Sequence, residues 1–185
     1  ERVSLEGNRI FLSGELMLDL GAVGKGVALD EIAAFLAQQQ TVKGAVISAG
    51  GSILTYGSKP EGESWQVGII NPQDTSKSLG VFSLKGQWFI STSGDYERYF
   101  EVDDKRYHHI MNPHTGYPAE SGVSSVTILC KSGLLSDALS TACFVLGVEE
   151  GMELVRQYDA EALFVSTEGE IAMTDGMKKY FSLSN

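Results

Sequence analysis

The chain has 185 residues, 43% apolar and 21% charged, enough to bury one substantial core and without the Pro- or Ser-rich bias of a disordered tract. Its 14 basic and 24 acidic residues give a formal charge of −10, and no Lys/Arg run exceeds Lys178-Lys179. That argues against an extended nucleic-acid or anionic-membrane face, so a polyanionic ligand must be held locally, by a metal or by backbone N–H groups.

Strand-like runs open the chain at residues 2–5, 9–12 and 15–20, separated by Gly, Asn or Ser. The chemistry changes at Gly21-Ala-Val-Gly-Lys-Gly26, after which Leu29, Ile32, Ala33 and Leu36 follow at helical spacing and predict an amphipathic helix to about residue 40. A buried strand over 44–48 ends at Ala49-Gly50-Gly51, where the backbone can turn tightly or approach a ligand. Alternation predicts antiparallel strands over 65–70, 79–84 and 87–91. A β-branched strand follows over 123–130, then a second helix whose stripe is Leu135, Ala138, Leu139, Ala142 and Leu146, closed by Gly147. A short third helix over 149–158 and strands over 162–166 and 170–173 complete the pattern. Few helices and many strands that mostly do not alternate with them make an α+β fold, a mainly antiparallel sheet core with two or three packed helices, in one domain spanning 1–185.

No apolar run approaches the ~20 residues that span a bilayer. The chain begins at Glu1 without a signal-like segment, the expectation for a mature product or an excised fragment. Cys130 and Cys143 have neither CxxC nor Cys/His spacing and read as core thiols rather than zinc ligands.

Four segments carry candidate chemistry, and each has a plain reading beside the functional one. Gly21 to Gly26 leaves helix N–H groups free to meet an anion, with Lys25 adding charge. It is neither a Walker A motif nor GxGxxG, and a simple strand-to-helix turn remains open, with Asp30 complementing the dipole of the following helix. Asp137 and Thr141, at i and i+4, present oxygens on one helix face and suit a hard cation such as Mg²⁺. Alternatively Ser136 or Asp137 caps the helix and Thr141 bonds back to a carbonyl. In His108-His-Ile-Met-Asn-Pro-His-Thr-Gly116 only one of the first two imidazoles faces a site if the backbone is extended, and His114 is expected to be exposed. Ser91-Thr-Ser-Gly94 before Asp95-Tyr-Glu-Arg-Tyr99 is either an ordinary turn with a solvated charged tail or a hydroxyl-rich ligand turn, with Tyr96 or Tyr99 available to stack on a ring.

In this order, Leu18-Asp-Leu-Gly-Ala-Val-Gly-Lys-Gly26 with Asp30, Ser48-Ala-Gly-Gly51, Ser91-Thr-Ser-Gly94, His109-Ile-Met-Asn-Pro-His-Thr-Gly116 and Asp137-Ala-Leu-Ser-Thr141 closely resemble the FAD:protein FMN transferases, the ApbE family once linked to thiamine biosynthesis. The resemblance runs from about Leu18 to the C-terminus. It implies that FAD is the substrate, that Mg²⁺ is required, and that FMN passes to a Thr or Ser hydroxyl of an acceptor flavoprotein with release of AMP. It further implies metal ligation by the Asp137 and Thr141 side chains and a turn carbonyl, that of Ala22. His109 would be the base, and Lys25, Gly50, Gly51, Thr92, Ser93, Gly94 and Thr115 would line the FAD site. Many relatives have an acidic residue where this chain has Ser52. Family members also have a further N-terminal portion that supplies part of the flavin pocket and often a lipoprotein signal, so the resemblance implies a lipid-anchored enzyme outside the bacterial cytoplasmic membrane. The same ligands would serve two other functions, an Mg²⁺-dependent FAD pyrophosphatase giving FMN and AMP, or a non-catalytic FAD-binding module. A serine acyl-transfer enzyme is disfavoured, because no SxxK accompanies Thr115-Gly116.

Overall fold

The computed structural model describes residues 2–103 and 105–184, with only the backbone for Lys105. A hairpin of β1 (Val3–Glu6) and β2 (Arg9–Leu12) leads through an irregular segment into α1 (Gly24–Ala37). Next come β3 (Gly44–Ala49), β4 (Ser52–Gly57), β5 (Trp65–Asn71), β6 (Asp74–Leu84) and β7 (Trp88–Gly94). A second small hairpin, β8 (Tyr99–Val102) with β9 (Lys105–His108), precedes β10 (Val123–Cys130), α2 (Gly133–Leu146) and α3 (Val148–Val155). The chain closes with β11 (Ala160–Ser166), β12 (Ile171–Met173) and β13 (Phe181–Leu183).

The main sheet has six strands in the order β12-β11-β10-β7-β4-β3, every adjacent pair antiparallel. Helices cover one face: Val126, Ile128, Ala162 and Phe164 pack with Leu139, Cys143 and Phe144 of α2 and Val155 of α3, while Leu54 and Phe89 receive Leu29 and Ala33 of α1. Alternate residues on the other face, Ile90, Leu129, Leu163 and Val165, pack on Val67, Ile69, Phe82 and Leu84 of the three-stranded sheet β13-β6-β5. Strand β10 is therefore buried at every position, which explains its nearly continuous apolar and β-branched sequence.

The α+β class and the antiparallel core agree with the sequence reading. Residues 15–20 do not form the expected strand: among the described residues no segment pairs with them as a strand, and Met17, Leu18 and Leu20 are exposed. Strands β4, β8, β9 and β13 were not anticipated, and α1 stops at Ala37. Gly147 closes α2 at φ +84°, its N–H donating to the Cys143 carbonyl. Both cysteines are free and buried, and burial pushes the Cys143 thiol up to about 12.

Candidate active site

The site is built where α1 crosses the start of α2. Ser132 caps α2 by accepting from the Leu135 N–H at 3.3 Å. Asp30, reaching over from α1, accepts the next orphan donors of α2, the N–H groups of Gly133 at 2.7 Å and Leu134 at 2.8 Å. Asp30 thus complements the neighbouring helix rather than its own. The crossing is close because both helices present glycine: a Cβ on Gly26 would strike the Gly133 carbonyl and come within 2.8 Å of the Asp137 Cβ, and one on Gly133 would strike the Gly26 carbonyl.

That approach delivers the Gly26 N–H to Asp137 Oδ2 at 3.0 Å. The Ser52 hydroxyl donates to Oδ1 at 3.2 Å, and the Lys25 ammonium lies 3.2 Å from the same oxygen. The Asp137 residue is only 2% exposed, so each partner of its carboxylate offsets part of a large desolvation cost. Asp137 is not the cap of its helix, and Thr141 does not bond back along it. Ser140 makes that back-bond, to the Asp137 carbonyl at 2.9 Å, while Thr141 Oγ1 meets Ser93 Oγ at 3.1 Å.

Strand β7 supplies the floor. Ser91 joins Ser52 at 3.1 Å and Ser136 at 2.8 Å, and Ser93 joins Ser140 at 2.9 Å, so a ladder of hydroxyls runs between the sheet and α2 beside Asp137. By strand alternation Thr92 points to the opposite face, where its hydroxyl meets Thr127 at 2.9 Å; its N–H donates to the Gly51 carbonyl at 2.9 Å. Gly50 and Gly51 turn at φ +50° and +85°, and a Cβ on Gly51 would sit 3.0 Å from Glu97 Oε1. Burial raises the Glu97 carboxyl above its ordinary value, with the charges of His109, Lys25 and Arg98 pulling it back. Gly94 leaves room for the Tyr96 ring, 2.5 Å from where a Cβ would be. Tyr96 is pushed up to about 12, mainly by burial and further by Glu97 and Asp95.

The two adjacent histidines face opposite ways. His108 is buried edge-on against Phe144; its Nδ1 accepts from the Ile110 N–H at 3.3 Å, which leaves Nε2–H to donate to the Ala119 carbonyl at 3.1 Å. Burial lowers its pKa below 6.5. His109 is exposed, and its Nδ1 lies 3.2 Å from the Arg98 carbonyl oxygen, an acceptor that requires a proton on Nδ1. The Nε2 lone pair is left to receive a proton. The arm carrying His109 is tied back by Arg106, which is 3.7 Å from both Asp95 and Glu101 and stacks 4.2 Å over Tyr99.

Ala22 is half-buried in the turn before α1, where the Gly21 N–H donates to Asp19 at 2.6 Å. Thr115 is exposed in the turn after His109, and its hydroxyl accepts from the Tyr117 N–H at 3.2 Å, so it lies in a different hydrogen-bonded unit from Asp137. Among the described residues no three His, Cys, Asp or Glu side chains gather as a metal centre. The Asp137 carboxylate, the Thr141 hydroxyl and a carbonyl of the turn before α1 are oxygen donors of the kind that would suit a hard cation keeping waters or phosphate oxygens in its shell. The ammonium already seated at Oδ1 shows that this carboxylate presents a lone pair to a cation. The sequence reading missed Gly26 and Gly133 as a packing pair, the Asp30 cap and the ladder of Ser52, Ser91, Ser136 and Ser140. Hydroxyls two apart on a strand, at 91 and 93, and four apart on a helix, at 136 and 140, were the signal available.

An antiparallel sheet under a helix that buries a carboxylate paired with an ammonium among hydroxyls defines an α+β protein whose candidate site is centred on Asp137. A model of the ApbE family matches residues 1–164, and the chain belongs to that family. An FAD:protein FMN transferase of Klebsiella pneumoniae (strain 342) is 40% identical over 167 residues, covering 89% of this chain and 50% of that protein. One from Vibrio cholerae is 35% identical over 185 residues, 100% of this chain and 54% of that protein. The crystal structure of the ApbE protein of Thermotoga maritima superposes with a TM-score of 0.87 at 34% identity, over 97% of this chain and 59% of that one. The apo flavinyl transferase ApbE of Pseudomonas stutzeri gives 0.79 at 33% identity, over 100% and 57%. The chain spans about half the length of the curated relatives it matches.

Proposed function

We propose that this chain, within its full-length protein, transfers FMN from FAD to a Thr or Ser hydroxyl of an acceptor flavoprotein in an Mg²⁺-dependent reaction that releases AMP. The observation that carries the reading is the buried Asp137 carboxylate, neutralised by Lys25 at 3.2 Å and braced by Gly26 and Ser52. The names of the relatives support the flavin chemistry. Asp137, Thr141 and the Ala22 carbonyl would hold the ion, which when bound neutralises charge on the pyrophosphate. Lys25 binds phosphate oxygens. Gly50, Gly51, Ser93 and Gly94 would line the FAD site, with Thr92 contributing through its main chain and Thr115 at the turn after His109. His109 Nε2 takes the proton of the acceptor hydroxyl as that oxygen bonds to the FMN-side phosphorus and the bond to the AMP phosphate breaks.

The acceptor would offer its hydroxyl within a short Asp-(Gly/Ser)-x-(Thr/Ser)-(Gly/Ser)-Ala-(Thr/Ser) type motif, and the reaction would take place outside the cytoplasmic membrane on a lipid-anchored enzyme. Among the described residues no helix is long and apolar enough to cross a membrane. The test is intact-mass analysis of an acceptor domain incubated with the full-length protein, FAD and Mg²⁺, with AMP release followed in parallel. A chelator-sensitive gain of one FMN is expected. AMP without acceptor modification would replace the transferase by a pyrophosphatase, and neither product would leave a binding module.

A further inference from the structure

We infer that Lys25 is the resident counter-ion of Asp137 and is displaced from it by the divalent cation, which frees its ammonium for the anionic ligand. The inference rests on Asp137 being a cation ligand and goes beyond it by giving Lys25 a second position.

Three partners hold the carboxylate, and they differ in kind. The Gly26 N–H is fixed by the glycine crossing, and Ser52, fully buried, is fixed by the hydroxyl ladder. The Lys25 side chain is 39% exposed against 3% for Asp137, so its ammonium alone sits at the solvent edge on a flexible stem. It lies 3.2 Å from Asp137 Oδ1 and 3.5 Å from the Gly21 carbonyl oxygen, bridging the α2 carboxylate and the turn before α1. A hard cation ligated by this carboxylate and a carbonyl of the same turn would bridge the same two elements. Two positive charges do not share that gap, while a buried carboxylate with neither would remain uncompensated.

Exchange therefore follows from electrostatics. Without ligand, Lys25 keeps the carboxylate neutralised and competes with the cation. When the cation enters, the ammonium swings outward, where a pyrophosphate would receive it; Glu97 is near enough for its carboxyl to feel the Lys25 charge. Cation and anion then strengthen each other's binding, with Lys25 as the coupling element.

The experiment titrates Mn²⁺ by electron paramagnetic resonance into the full-length protein, with and without ADP as a pyrophosphate probe, in wild type, Lys25→Met and Asp137→Asn. Loss of the competing ammonium should make Lys25→Met bind Mn²⁺ about three- to tenfold more tightly without ADP, and should abolish the gain in Mn²⁺ affinity that ADP brings to the wild type. In the wild type, acylation of Lys25 by an amine-reactive reagent, read by peptide mass, should quicken when Mg²⁺ is added. Unchanged or weaker Mn²⁺ binding in folded Lys25→Met overturns the exchange, as does Lys25 labelling indifferent to Mg²⁺. If Lys25→Met does not fold, the wild-type labelling decides alone. Equal Mn²⁺ affinity in wild type and Asp137→Asn would instead remove the cation site itself, and the exchange with it.

Discussion

The start of α2 and the arm that carries His109 are built in contrasting ways. The Asp137 carboxylate is held by groups from α1 and β4, its surroundings sealed by the sheet below and by a helix crossing too tight for any side chain at positions 26 and 133. His109 stands exposed after a two-stranded hairpin, oriented by one carbonyl and tied back by Arg106. The contrast matches the two partners in the proposed reaction. A cation and a pyrophosphate need dry, fixed, pre-paired donors, whereas a hydroxyl on another protein has to be met at the surface by a base that a macromolecule can reach.

Asp137→Ala should break the buried half most completely, lowering FMN transfer by about 10³-fold or more; wild-type turnover at ordinary Mg²⁺ would take Asp137 out of the ion site. On the exposed side His109→Ala should slow transfer by about 10²–10⁴-fold while FAD affinity stays close to wild type. If affinity collapses and the rate per bound FAD does not, His109 is a binder. Gly26→Ala drives a methyl into the Gly133 carbonyl and should cost about 1–3 kcal/mol, read as a lowered Tm. An unchanged Tm would mean that the crossing is not tight.

His108 sharpens the comparison through pH. Its folded pKa lies below 6.5 because of burial, so the unfolded chain binds more protons in the window between the two values. Its contribution to stability is complete above about pH 6.5 and is lost as the pH falls through the lowered folded value. Denaturant titrations across that range should show the loss in wild type and a smaller one in His108→Gln. The smallest effect is expected from Arg106→Ala, under about 1 kcal/mol in stability because its ion pairs are partly exposed and 3.7 Å long. Its larger signature should be a rise in the KM for the acceptor protein, with FAD affinity unchanged.

The helices and the central strands were legible because their apolar periodicity reports burial directly, and the candidate residues because their motifs recur together. Partnerships across the fold were not. Gly26 reads locally as part of a flexible turn, and only the approach of Gly133 shows that both are contact glycines. Asp30 reads as a helix-dipole residue until α2 brings its unpaired N–H groups alongside. Residues 15–20 show the converse: a strand-like local pattern forms no strand where none of the described residues pairs with it. The β8–β9 hairpin was hidden because its strands are only four residues long and show no clean apolar alternation.

The bond that orients His109 has an implication for how this site tolerates change. Its acceptor is the main-chain oxygen at position 98, which every amino acid possesses, so swapping the Arg98 side chain leaves that bond in place. What sets the tautomer is the path of the hairpin between 98 and 109. Inserting or deleting a single residue there would misdirect the ring more surely than any substitution at 98, so the arm should be permissive in composition and strict in length.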